Sequence, residues 1–334
     1  MRPLCAAKIG LVGLGNVGRL VGANALKSGY NLSAVFDLDS TRTHQFQPPV
    51  RRAASAAEVA EHADLLITAL PLPKDVRCVM EDEVIPAMRE GLIWIDHSTT
   101  DYEQTLRLAD LVNAKRGRSL EAPVTGGIAL MRQGQMTTLV GGERTLYEHC
   151  RPLLRASCAN VLYTGRMGTA TIVKVLSNML AGAHTCLTGE AAMLAKRAGV
   201  DLRTFFDGIR LSAGNSFVFE TEAPLMFKGT FDPDFTMELH CKDYALGSKF
   251  SQKFETPMPL HALVEQLYNA ARLRYGNNAG SSSPARLLED VLNEKLQIAG
   301  FENWTYSIEQ VDGGSLGVVQ RNIAAISDHG DNEQ

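Results

Sequence analysis

Three glycines near the start of the chain, Gly13, Gly15 and Gly18, stand at the spacing G-x-G-x-x-G within KIGLVGLGNVGRLVGANALKSGYNLSAVFDLD, Lys8 to Asp39. The chemistry open to them is the holding of a pyrophosphate. Gly13 permits a tight turn, Gly15 lets the backbone approach a phosphate, and Gly18 lets the following helix lie close to the strand. The loop, with Leu14, Asn16 and Val17 between the glycines, joins an apolar run (Ile9 to Val12) to a helix-like stretch. A helix start points free N–H groups and the positive end of its dipole at an anion. A second apolar run ends at Asp37, nineteen residues past Gly18. An acid there can accept hydrogen bonds from both ribose hydroxyls of an adenosine, and it repels a 2′-phosphate. A glycine turn beside a surface aspartate is the bland alternative. Strand, helix and acid in register favour a dinucleotide site, with NAD as the expected cofactor. Arg42 keeps NADP possible, since a nearby arginine neutralises a phosphate.

The elements that must position this loop alternate along the first half. Apolar runs at Lys8–Val12, Asn31–Phe36, Leu65–Ala69, Leu92–Ile95, Ser119–Ala122, Thr137–Val140 and Val161–Tyr163 read as strands, with helical patterns between most of them. Such alternation predicts a doubly wound α/β domain of the Rossmann kind, its sheet mostly parallel and mixed at the far end. The texture changes after Gly165. One long helical pattern runs from Thr169 to Ala198, with Val173, Leu176, Leu180, Ala183, Leu187, Ala191 and Leu194 at steps of three and four. Further helices are expected at Leu202–Leu211, Asp243–Phe254, Leu260–Tyr275 and Pro284–Leu296. The division this predicts is a dinucleotide domain over 1–167, a long interdomain helix leading an all-helical domain over 168–300, and a partly disordered tail over 301–334.

Bulk properties exclude several classes of function. With 45% hydrophobic and 21% charged residues in 334, the chain can bury the cores of about two domains. Its formal charge is −4 and no lysine- or arginine-rich block occurs, which argues against nucleic acid as a partner. The six cysteines form no C-x-x-C pair and read as reduced thiols of a cytoplasmic protein. Only Met1 to Ala7 precede the first strand, too few for a signal peptide, and no apolar run suits a membrane span. Neither cysteines nor histidines show metal-ligand spacing, so no metal is expected.

A dinucleotide fold does not name a reaction. Four more stretches bear on it: ALPLPKDV (Ala69–Val76), IDHSTT (Ile95–Thr100), EAPVTGG (Glu121–Gly127) and KVLSN (Lys174–Asn178). With ELHCKD (Glu238–Asp243), they resemble the β-hydroxyacid dehydrogenase family, which includes 3-hydroxyisobutyrate dehydrogenase and tartronate semialdehyde reductase. The resemblance runs in the expected order from Lys8 to Glu289. It implies hydride transfer between NAD(P) and a small 3-hydroxy acid or its semialdehyde, in a homodimer or homotetramer.

Carried over by residue, the resemblance places the family's catalytic lysine on Lys174 and its partner asparagine on Asn178. Their spacing of four puts both on one helix face, beside Thr185. A lysine at the carbinol oxygen can take its proton in oxidation and return it in reduction, provided partial burial lowers its pKa. In the loop Thr125–Gly126–Gly127, the threonine replaces the family's usual serine. Its hydroxyl and the glycine backbone would bind the substrate carboxylate. Leu70, Pro71 and Thr99 match positions along the cofactor, at strand ends where open α/β sheets bind ligands. Lys242 matches a lysine that reaches the same cleft. Asp243 is expected to cap the next helix, and His97 to be structural.

Two rivals remain. Imine reductases share the layout but typically replace the lysine. A non-catalytic dinucleotide-binding regulatory scaffold would be expected to lose it altogether. Lys174, Asn178, Thr125 and Lys242 favour an active enzyme. The stretch YGNNAGSSSPARLLED (Tyr275–Asp290) lacks the D-x-S pattern of simple members, and Arg210 or Arg286 could meet a second carboxylate on the substrate.

Overall fold

Ile9 to Val12, four buried apolar residues, form β1, which lies inside a nine-stranded sheet. The computed structural model describes residues 3–310 and 316–323, and the statements below concern those residues. The final SDHGDNEQ lies outside them.

The other strands are β2 (Leu32–Phe36), β3 (Arg51–Arg52), β4 (Leu65–Thr68), β5 (Ile93–Asp96), β6 (Arg118–Glu121), β7 (Val124–Thr125), β8 (Met136–Gly142) and β9 (Cys158–Gly165). Their order is β3-β2-β1-β4-β5-β6-β8-β7, with β9 on the other side of β8. Pairing is parallel from β3 through to β6. It turns antiparallel where β8 meets β6 and β7, as the crowded strand signals at that end suggested. The two-residue strands β3 and β7 are too short to have left a signal of their own.

Helices α1 (Asn16–Lys27) and α2 (Ala56–His62) cover opposite faces of β1. A Cβ on Gly22 of α1 would meet Leu11, whereas one on Gly10 would meet Val59 of α2. Alternate strand residues point to opposite faces, so the sheet is sandwiched. On the α2 side pack α3 (Pro73–Cys78), a π-helical turn (Val79–Val84), α4 (Ile85–Ala87) and α5 (Tyr102–Ala114). Val59, Leu66, Met80, Val84, Trp94 and Leu108 form that core. The remaining helices before Gly165 are α6 (Ile128–Arg132) and α7 (Arg144–Leu154). Capping sets the helix starts: Ser55 accepts from Glu58 N–H while Glu58 accepts from Ala54 N–H, and Asp101 accepts from both Glu103 and Gln104.

Beyond Gly165 the long helix α8 (Thr169–Arg197) is followed by α9 (Leu202–Arg210), α10 (Phe217–Lys228), α11 (Met237–Lys253), α12 (Pro259–Tyr275) and α13 (Pro284–Leu292). The chain divides into two compact units, Met1–Ser177 and Asn178–Gln334, and the division falls within α8. Three findings differ from the sequence reading. Helix α10 was not foreseen, because it is apolar on most sides and carries Pro224 inside, so no amphipathic stripe marks it. Helix α11 begins at Met237, six residues before the expected Asp243, with Thr236 as its cap. The leucine row of α8 faces outward: Val173, Leu180, Leu187 and Leu194 are 43%, 54%, 62% and 71% exposed. Small and polar residues such as Thr171, Gly182, Thr185 and Ala192 face inward instead.

The helical unit has an aromatic core. Phe206 stacks on Phe219 at 5.5 Å, and Phe227 meets Phe301 at 5.3 Å. Phe301 and Trp304 are buried, although little periodicity is legible after Gly300. Strands β10 (Thr305–Gln310) and β11 (Leu316–Arg321) pair antiparallel just beyond them. Gln320 ties this ladder to α10 by donating to Glu220 O at 3.1 Å. Six-residue alternation is too short to stand out in a sequence.

Two acids of this unit are poorly solvated. Glu222 and Asp232 keep some exposed surface, but protein crowds their carboxyl groups. Ser282 donates to Glu222, and Ser281 donates to Asp232 at 2.7 Å. Burial raises both above the usual carboxylate range, and the Asp232 charge adds to the effect on Glu222. The folded chain thus holds their protons more tightly than the unfolded chain. Their contribution favours folding below the ordinary carboxylate pKa and is lost as the pH rises through the raised values. The unfolding midpoint is therefore expected to fall between about pH 5 and about pH 8, and Glu222→Gln should flatten that slope. An unchanged slope in the variant would place its cause elsewhere.

Candidate active site

The glycine loop has the geometry its spacing predicts. Gly13 has φ +90°, and a Cβ there would lie 2.4 Å from Ala69 O. A Cβ on Gly18 would lie 1.8 Å from Gly13 O, so the loop cannot close on a larger residue. A Cβ on Gly15, by contrast, would meet nothing nearer than Arg42 Nη1 at 3.8 Å. Space is thus kept over the one glycine where a phosphate needs it, and a dinucleotide fits this cradle. Gly15 is also the N-cap of α1, which has no side-chain cap.

Asp37 ends the stretch after β2. Its Oδ2 accepts from Leu14 N–H at 2.6 Å and its Oδ1 from Asp39 N–H at 2.9 Å. Arg42 stands 3.7 Å from Asp37 and 3.3 Å from Asp39, so both acids share its charge.

Leu70–Pro71 follow β4, which pairs with β1, and Thr99 follows β5, which pairs with β4. A hydrogen-bonded chain fixes these loops. Trp94 Nε1 donates to Thr68 Oγ1 (2.9 Å), and Thr68 donates to Asp96 Oδ1 (2.8 Å). Asp96 also accepts from Ser98 N–H (3.0 Å), and Ser98 Oγ accepts from Leu70 N–H (2.9 Å). Burial pushes the Asp96 carboxyl up to about 6. His97 is buried, and its Nδ1 donates to Ala122 O at 2.6 Å, the carbonyl being able only to accept. Burial lowers its pKa, in keeping with a structural role.

Glu121, at the end of β6, is the group the sequence did not reveal. Its buried carboxylate accepts from Ala170 N–H and Thr171 N–H, both at 2.9 Å, and from Thr171 Oγ1 at 2.5 Å. It thereby satisfies first-turn amides of α8 and fastens the helix to the sheet. Burial raises its pKa, and these hydrogen bonds oppose the rise. Lys174 lies one turn further along α8 and is only 7% exposed. Thr125 closes β7, and Gly126 and Gly127 follow with φ +117° and +85°, a backbone path suited to glycine.

Asn178 and Lys242 fall in the helical unit, where Asp243 joins them. Asn178 Nδ2 donates to Asp243 Oδ2 at 2.6 Å, and Lys242 Nζ lies 2.9 Å from Asp243 Oδ1. The expected capping role of Asp243 is thus corrected: it lies inside α11, 2% exposed, and orients two candidate site residues. Close approach makes this possible, since a Cβ on Gly182 would strike Tyr244 at 2.6 Å and His240 at 2.8 Å. Arg210 is committed to Asp207 and Glu220. Asp96, Ser98, Glu121 and Asp243 act by holding other residues, and no local spacing in the sequence marks them for that role. No cluster of three or more histidines, cysteines or acids is placed to hold a metal among the described residues, and no helix is long and apolar enough to cross a membrane.

Fold and loop together define a two-part protein built to bind a dinucleotide. Residues 8–165 match the family model described as the NAD binding domain of 6-phosphogluconate dehydrogenase, and 168–288 match the NAD-binding region of NADP-dependent 3-hydroxyisobutyrate dehydrogenase. The mitochondrial 3-hydroxyisobutyrate dehydrogenase of Mus musculus is 30% identical over 270 residues, 78% of this chain and 80% of the relative. The 2-(hydroxymethyl)glutarate dehydrogenase of Eubacterium barkeri is 29% identical over 272 residues, 79% of this chain and 89% of the relative. The structure of Mycobacterium tuberculosis 3-hydroxyisobutyrate dehydrogenase with L-serine superposes with a TM-score of 0.76 at 25% identity, covering 84% of this chain and 99% of that one. The chain belongs to the β-hydroxyacid dehydrogenase family, NAD(P)-dependent oxidoreductases of small 3-hydroxy acids.

Glu121→Gln preserves volume but replaces an accepting oxygen with an amide donor that faces donors. It is expected to cost about 2 kcal/mol of stability in denaturant unfolding, with dinucleotide affinity retained. Stability equal to the parent would show that the carboxylate does not anchor α8.

Proposed function

We propose that Lys174 is the general acid/base of an NAD-preferring 3-hydroxyacid dehydrogenase. The burial of Lys174 on a helix anchored by Glu121 carries this reading. A base at the carbinol oxygen has to stand out of bulk water, within reach of the proton it moves. In oxidation Lys174 Nζ takes the hydroxyl proton as the carbinol carbon becomes a carbonyl. In reduction it returns that proton to the oxygen. Asn178, four residues on, would hold the substrate oxygen, its amide turned by Asp243. Thr125, Gly126 and Gly127 would receive the carboxylate. When bound, the nicotinamide accepts or supplies the hydride. Gly13, Leu14, Gly15, Asn16, Val17 and Gly18 would hold its pyrophosphate, while Leu70, Pro71, Thr99 and Lys242 would line its other half.

Asp37 supports NAD over NADP, because its carboxylate stands at the ribose end of β2 and Arg42 is already shared between two acids. The substrates we infer are 3-hydroxy monocarboxylates and hydroxymethyl diacids, the second suggested by the glutarate relative. We assign the dinucleotide to 1–167 and substrate and dimer contacts to 168–300. We place the enzyme in the cytoplasm, which cell fractionation checks.

Nicotinamide absorbance with NAD or NADP and a panel of 3-hydroxy acids tests the reaction. Turnover with NAD is expected for the parent, with kcat lowered roughly 10²- to 10⁴-fold by Lys174→Ala and dinucleotide affinity unchanged. Full activity in the variant, or a preference for NADP, would contradict the corresponding assignment.

The outward leucine row of α8 supports a second copy as partner. Val173, Leu180, Leu187 and Leu194 recur every seven residues, the spacing of a helix-pairing seam. Light scattering after size exclusion should give a dimer or tetramer, and Leu187→Asp should shift it to smaller species. A monomeric parent would contradict this.

A further inference from the structure

A cavity of about 280 Å³ opens at the start of α13, and we infer that it binds a small oxyanion. It is lined by Gly229, Thr230 and Phe231 after α10, by Ser283 and Arg286, and by Lys295 beyond α13. Two features of these side chains, with the charge balance of the lining, point to an anionic guest.

The Arg286 guanidinium carbon lies over two aromatic rings, 4.1 Å from the Tyr275 centroid and 5.5 Å from that of Phe231. It has no carboxylate partner among the described residues. A stacked guanidinium keeps its edge N–H groups available for a two-pronged bond to a carboxylate or phosphate. Ser283 is 0% exposed, and its hydroxyl has no hydrogen-bond partner among the described residues. A buried hydroxyl left unpaired is costly, and a guest oxygen would satisfy it. Ser283 is the N-cap of α13 but makes no capping bond, so its hydroxyl is not used by the helix.

The charge balance agrees. Glu289 also lines the cavity, but its carboxylate accepts from Leu296 N–H at 2.7 Å and from Lys295 Nζ at 3.2 Å. One negative charge therefore faces two positive ones. The size suits inorganic phosphate or a short carboxylate, lying just under the range of drug-sized pockets, roughly 300–1,000 Å³. Lys295 and Gln297 come from chain beyond residue 288, where the family match ends. This segment completes the cavity's wall, so the site belongs to this chain and not to the matched region alone.

The test uses the full chain with NAD in excess, so that the glycine loop is filled. Inorganic phosphate and malonate are titrated separately against sodium chloride of equal ionic strength, with the unfolding midpoint as readout. A saturable rise with at least one anion is expected, weakened at least tenfold in affinity by Arg286→Gln and by Ser283→Ala, and retained by Lys174→Ala. A response to phosphate alone names a phosphate-bearing ligand, and one to malonate alone names a carboxylate. No rise beyond chloride, or an equal rise in the Arg286 and Ser283 variants, would overturn the assignment. If Arg286→Gln does not fold, Ser283→Ala decides.

Discussion

One buried carboxylate ties the sheet to the helix that carries the candidate base. Glu121 accepts from two first-turn amides and one hydroxyl of α8, in a place with almost no access to water. Helix N-termini leave amides without partners, and an acid that accepts them also meets the positive end of the dipole. The position of Lys174 follows from this joint, because helix geometry fixes what lies one turn beyond an anchored start. Register brings Asp96 of β5 opposite Glu121 of β6. The acid that orders the loops after β4 and β5 and the acid that anchors α8 are thus neighbours at the same sheet edge. Their like charges contribute to the raised pKa of Asp96, after burial.

The helical unit repeats the device with other groups. Asp243, 2% exposed, holds Asn178 by its amide and Lys242 by its charge. Buried acids of this kind do no proton transfer themselves. Asp243 instead fixes the directions of two residues proposed for the site. The close approach at Gly182 lets α11 lie near enough to α8 for the contact to form. Tyr244 then donates to Met179 O at 2.8 Å, locking the same pair of helices one residue further on.

Much of this was legible beforehand, for identifiable reasons. The strands at Ile9, Leu32, Leu65 and Ile93 are buried on both faces and so read as continuous apolar runs. The glycine loop announced itself because each glycine answers a separate steric demand. Helix α10 stayed hidden because it is surrounded by core, and the ladder from Thr305 to Arg321 because its strands are short. The leucine row of α8 was visible, but its direction was not, since periodicity reports a stripe and not what covers it. Glu121, Asp96 and Asp243 were likewise unreadable as anchors. Their partners are backbone amides and distant side chains, which no local spacing encodes.

The central claim is that the Lys174 amine itself carries the proton. Adding small primary amines to Lys174→Ala, with NAD and the best 3-hydroxy acid present, tests it most directly. Turnover should return with amine concentration, and amines of different basicity should differ in rate, as proton transfer in the transition state requires. An intact, dinucleotide-binding variant that no amine restores, or one that needs no restoring, would contradict the account.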